Sequence, residues 1–183
     1  MSEARQRGRK VERHYNFYRR IKGEEAICAV RSMWRLCHFY LVYIVVHRGQ
    51  KRDTSDERHA GLLLFPVQNG VCIYVHLAPG PDEDSYLLEL KPNFDPRNSR
   101  GALPSVRVGK TAPLTAQTLV DAVKSVPIKR KVDEFGDQHW VDGALRVLAD
   151  AGYITHQAYE RGFNSLLQTL LDGSADEVPD LGW

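Results

Sequence analysis

His59 heads an apolar run, His59-Ala60-Gly61-Leu62-Leu63-Leu64-Phe65, and far downstream Phe135-Gly136-Asp137-Gln138-His139-Trp140-Val141 opens a stretch of helical periodicity. A side chain at a helix start sits among unpaired backbone N–H groups and the positive end of the helix dipole, which favour an anionic nucleophile and can hold an oxyanion. A histidine reaching that position from a neighbouring strand can take a proton and return it. His59, Asp137 and His139 are therefore the candidate catalytic residues, and Gln138 and Trp140 the candidate substrate contacts. Asp137 sets a limit on the chemistry. A carboxylate is a poor acyl nucleophile, so histidine-based proton transfer fits better than thiol-type hydrolysis. Each residue also has a plainer reading: Asp137 as the N-cap of its own helix, His59 as a polar strand start, Trp140 as core. Gln138 and His139 flank the apolar stripe, where they either line a cleft or face water.

The elements that must position these residues follow from periodicity. Phe39 to Val46 is rich in β-branched and aromatic residues and reads as a buried strand. Ala60–Phe65 and Val71–Leu77 flank Pro66-Val67-Gln68-Asn69-Gly70, whose Asn-Gly pair favours a hairpin turn. Tyr86–Leu90 and Ser105–Val108 predict two more strands, separated by a loop from Lys91 to Leu103. After Pro113 the pattern becomes helical. Thr115 caps a helix that Pro127 ends. The helix beginning near Asp137 carries Trp140, Val141, Ala144, Leu145 and Leu148 on one face and stops at Gly152, and Thr155 caps a third that runs towards Gly173. Strands first and helices afterwards imply an α+β domain, an antiparallel sheet from the N-terminal half packed against C-terminal helices.

The order of the His59 run, further strands and Gly136-Asp137-Gln138-His139-Trp140-Val141, leading into Leu145 to Ile154, resembles an uncharacterised family of small fungal proteins. Its members typically carry an Asn-Cys-Gln-x-Trp-type helix start. The layout over roughly residues 40 to 155 is also similar to circularly permuted papain-like folds, such as the lecithin:retinol acyltransferase and NlpC-related groups, in which a strand-borne histidine precedes a helix-start cysteine. The resemblance implies a papain-like cleft with His59 as base, Asp137 standing where that pattern has cysteine, and a setting in fungal specialised metabolism.

Composition narrows the partners. A chain of 183 residues, 43% hydrophobic and 26% charged, suits one globular domain able to bury a core without staples. Cys28, Cys37 and Cys72 show no Cys-x-x-Cys pairing, which argues for a reducing, cytoplasmic setting and against structural zinc. The longest apolar run is far short of the roughly 20 residues that span a bilayer. Residues 1–22 form a basic arm with interleaved aromatics, 23–173 the α+β domain and 174–183 an acidic tail. A net charge of +2 is too mild to demand a polyanion, so nucleic acid ranks below a small-molecule substrate. His38, His47, His59 and His76 lack metal-ligand spacing, Asp82-Glu83-Asp84 reads as a solvated turn, and Gly109-Lys110-Thr111 lacks the earlier glycine of a phosphate loop. No metal and no cofactor are expected. Three functions follow in order: a small-molecule enzyme of cyclisation or isomerisation type, a non-catalytic papain-like relic that binds a peptide or small ligand, and a nucleic-acid module.

Overall fold

Valine, isoleucine and leucine at alternate positions pull five strands into one antiparallel sheet. A computed structural model describes residues 37–49, 53–55, 57–131 and 135–171; the basic arm and the acidic tail lie outside them. The strands are β1 (Tyr40–His47), β2 (His59–Pro66), β3 (Ile73–Pro79), β4 (Tyr86–Pro92) and β5 (Val106–Lys110), followed by helices α1 (Ala116–Lys124), α2 (Asp137–Asp150) and α3 (His156–Leu171). In the sheet the order is β4-β3-β2-β1-β5, so β1 to β4 form a meander and β5 returns to the far edge. The α+β architecture expected from the order of strands and helices is the one observed.

The two faces of the sheet differ in chemistry because residues alternate along each strand. Val42, Ile44 and Val46 of β1, Ala60, Leu62 and Leu64 of β2, and Ile73 and Val75 of β3 are buried on one face. Helix α2 packs against β2 and β3, and α3 against β1 and β5. At β5 the fit is close. A methyl group added at Gly162 of α3 would lie 2.9 Å from Val108.

Local signals close the helices as their residue types dictate. Thr115 Oγ1 accepts the Thr118 N–H at 3.1 Å, and Thr155 Oγ1 accepts that of Ala158 at the same distance. At the end of α2, Gly152 adopts φ +72. The Tyr153 N–H then reaches Leu148 O and the Gly152 N–H reaches Ala149 O, both at 2.9 Å. That pair of bonds is the Schellman arrangement, and the left-handed residue it needs is least costly as glycine. The Gly109-Lys110-Thr111 segment is no phosphate loop. Its first two residues end β5, and Thr111 Oγ1 accepts the Tyr40 N–H at 3.0 Å.

The opposite face carries a smaller apolar cluster, Val45, Leu63 and Tyr74, with Tyr43, Phe65, Cys72 and Ala102 packed around it. The loop after β4 covers part of it. The Arg97 guanidinium, held by Asp95 at 2.9 and 2.7 Å, lies 4.7 Å from the centre of the Tyr43 ring and 4.8 Å from that of Phe65. The same loop sets Phe94 against Tyr74 at 6.0 Å between ring centres. Beyond this cover the face becomes polar.

Candidate functional site

Helix α2 begins beside the first residues of β2. Gly136, not Asp137, occupies the N-cap, and Asp137 is the first helical residue. Its Oδ2 accepts the His59 Nδ1–H at 3.0 Å and the Ala60 N–H at 3.3 Å. The cap reading of Asp137 is thereby corrected, since the oxygen that would serve the helix is directed at the strand. A carboxylate can only accept here, so the bond places the proton of neutral His59 on Nδ1 and leaves Nε2 with its lone pair. The His59 side chain is 62% exposed while that of Asp137 is 7% exposed. The ring is thus anchored at one nitrogen while most of the side chain stays open to solvent. The hydrogen bond from Asp137 raises the pKa of His59 above its ordinary value, partial burial opposes this, and the carboxylate charge adds to the rise.

One residue upstream, Arg58 fixes the start of β2. Its guanidinium is buried, paired with both oxygens of Asp53 at 2.7 and 2.9 Å, and Nη1 donates to Thr169 O and Leu170 O at 2.7 and 3.3 Å. Those carbonyls belong to the last turn of α3, where the helix has no internal donor for them. Arg58 therefore caps α3 and locks the strand position next to His59. Arg58 carries no local signal of this role, because it lies in a polar loop and its α3 partners are 111 and 112 residues away.

Three other expected residues take different places. His139, at the third helical position, accepts the Gly136 N–H on Nδ1 at 3.1 Å and stacks on Phe135 at 5.9 Å, so it braces the helix start. Phe135 in turn meets Tyr86 edge-on at 6.3 Å. Gln138 is half-exposed and its amide folds back over Gly136, where Oε1 would lie 2.8 Å from an added Cβ. Trp140 has no exposed surface. Its expected role as a substrate contact is thereby corrected: the indole lies in the core, with Nε1 buried and without a hydrogen-bond partner.

Histidines that local spacing did not single out gather near His59. The register sets His47 opposite His59, Gly61 opposite His76, and His76 opposite Glu89. The strand alternation therefore puts His47, His59, His76 and Glu89 on the polar part of the less covered face. Tyr74 is wedged among them, stacked on His76 at 4.8 Å and edge-on to His47 at 6.2 Å. Its ring lies over Gly61, where an added Cβ would be 2.6 Å from the hydroxyl oxygen, so this close approach requires glycine. Burial, with the charges of Asp137 and Glu89, pushes the Tyr74 hydroxyl far above the usual tyrosine range and keeps it protonated.

His76 donates from Nδ1 to Leu77 O at 3.1 Å and turns Nε2 towards Glu89 Oε2 at 2.9 Å. That second approach is off the axis of a ring N–H, since Nε2 makes no hydrogen bond; Glu89 is held instead by Lys91 Nζ at 3.0 Å. Burial, followed by the Lys91 charge, lowers the pKa of His76. His47 is lowered too, by burial first and then by His76, His59 and Lys91. Among the described residues no three His, Cys, Asp or Glu side chains form a group able to hold a metal ion. Nor is any described helix long and apolar enough to cross a membrane.

No protein-family model matches this chain, and comparison with curated proteins and with solved structures finds no match either.

Proposed function

We propose that this protein is an enzyme that moves protons on a small organic substrate, with His59 Nε2 as the exchanging atom and Asp137 as the group that orients the ring. The observation carrying this reading is the 3.0 Å contact between His59 Nδ1 and Asp137 Oδ2, made between a solvent-facing imidazole and a buried carboxylate. A residue that exchanges protons needs an orienting partner and a second ring nitrogen open to the substrate, and this pair supplies both. Asp137 acts through the ring, so it is a positioning residue. The resemblance to permuted papain-like proteins supports the same place in the chain for the chemistry, with the carboxylate excluding a thiol intermediate there. It also suggests the setting of fungal specialised metabolism and a cyclisation or isomerisation in place of hydrolysis. The rival is a relic of such a fold, in which the same ion pair only staples β2 to α2.

An activated-ester probe separates the two. An oriented, exposed imidazole should hydrolyse p-nitrophenyl acetate faster than free imidazole at equal histidine concentration. His59→Ala should remove that excess, whereas His156→Ala, on an exposed residue at the start of α3, should not. A rate equal to free imidazole, or one untouched by His59→Ala, would overturn the catalytic reading and leave the staple.

A further inference from the structure

The sheet register sets a second histidine beside the first. His47 ends β1 and is the direct cross-strand partner of His59, which begins β2. Directly opposed residues of antiparallel strands have Cβ atoms about 5 Å apart, within the span of one small molecule. Their surroundings are unlike. His59 is anchored through Nδ1 to Asp137 and largely exposed. His47 is half-buried, against the edge of Tyr74. We propose that His47 and His59 are an acid–base pair that acts from one side of an enolisable carbonyl compound lying across the ends of β1 and β2.

This inference rests on the proton-transfer reading and names its second group and substrate class. The groups facing His47 are His59 from β2, Tyr74 and His76 from β3, and Lys91 from β4, with Glu89 beside His76 and Lys91. Burial first, and then the interactions with His76, His59 and Lys91, favour neutral His47. Asp137 favours the imidazolium of His59. Two like groups whose environments differ in this way divide the roles of base and acid between them.

The step balances without any co-reactant. Neutral His47 removes a proton from the carbon next to the carbonyl. The electron pair of the broken C–H bond becomes the new C=C bond, while the carbonyl π pair takes a proton from His59 Nε2–H to give the enol. His47, now imidazolium, protonates the carbon at the far end of the conjugated system, and His59 recovers the hydroxyl proton. Both rings return to their starting states. Since they stand on one side of the sheet, the proton leaves and arrives on one face of the substrate.

Two measurements decide this. In a proton NMR titration of the histidine C2–H signals, His59→Gln should move the His47 midpoint upward, because a like charge is removed, whereas His47→Gln should leave the His59 midpoint nearly in place, because His47 is already neutral when His59 titrates. A His47 midpoint that ignores His59→Gln would overturn the pair, whatever the ester assay shows. The probe for the substrate class is 3-cyclohexen-1-one, whose conversion to the conjugated ketone is followed in the ultraviolet. The protein should accelerate it. His47→Gln, shown to be folded by circular dichroism, should lose about a hundredfold, a usual contribution of a positioned acid or base. Absence of acceleration in the unaltered protein, or a rate that His47→Gln leaves unchanged, would overturn the assignment even with the ester reading intact.

Discussion

At the scale of the residue, Asp137 decides what the site can be. Its bonds run to His59 and Ala60. This link joins protonation to stability. His59 has a pKa raised above its ordinary value when folded. The stabilisation from its protonation is therefore fully present below that ordinary value and is lost as pH rises through the raised one. Asp137→Asn removes the charge that produces the shift. Melting temperatures of the two proteins measured from about pH 5.5 to about pH 8.5 should lie furthest apart at the acid end and converge towards the alkaline end. A constant gap would show that Asp137 holds β2 only through the Ala60 N–H.

At the scale of the element, the start of β2 is held from two sides, by the first turn of α2 through Asp137 and the last turn of α3 through Arg58. Arg58→Ala would leave the Thr169 and Leu170 carbonyls and the Asp53 carboxylate without their shared donor. Loss of one member of a buried ion pair costs about 3–5 kcal/mol, and urea unfolding should show a loss of that order. Amide exchange in the last turn of α3 should rise more than in α1. Exchange that rises equally in both helices would mean that Arg58 stabilises the domain without acting as the cap of α3. The helices themselves were legible in advance. Thr115, Thr155 and Gly152 act within a turn of their own positions, so residue type and local spacing were enough to place their caps.

At the scale of the whole molecule, the described residues hold His59 and Asp137, on which the proposed proton transfer rests, and the basic arm of residues 1–22 lies outside them. The nucleic-acid hypothesis makes a separable claim about that arm. Binding to single-stranded DNA, measured by fluorescence anisotropy, should weaken steeply between low and physiological salt if arm and phosphates pair, and should vanish on deletion of residues 1–22. Binding that is absent, or indifferent to salt, removes the hypothesis without touching the histidine site.

Sequence by itself determined the strands, the helices, the order of strands before helices and the candidacy of His59 and Asp137, because alternation, helical spacing and caps are properties of neighbouring residues. Tertiary structure decided how those residues are used. His59 and Asp137 are 78 positions apart, and nothing local states that the carboxylate turns from its own helix to the strand. The placement of His47 opposite His59 belongs to the register of β1 on β2. A slip of one residue would send either side chain to the other face. Trp140 had a polar edge compatible with a binding role, but helix packing encloses it completely. Arg58 looked like one more charge in a polar loop until the end of α3 was folded against it. In each case the deciding free energy comes from a partner remote in sequence, and only closure of the sheet and its helices brings that partner within hydrogen-bond or packing distance.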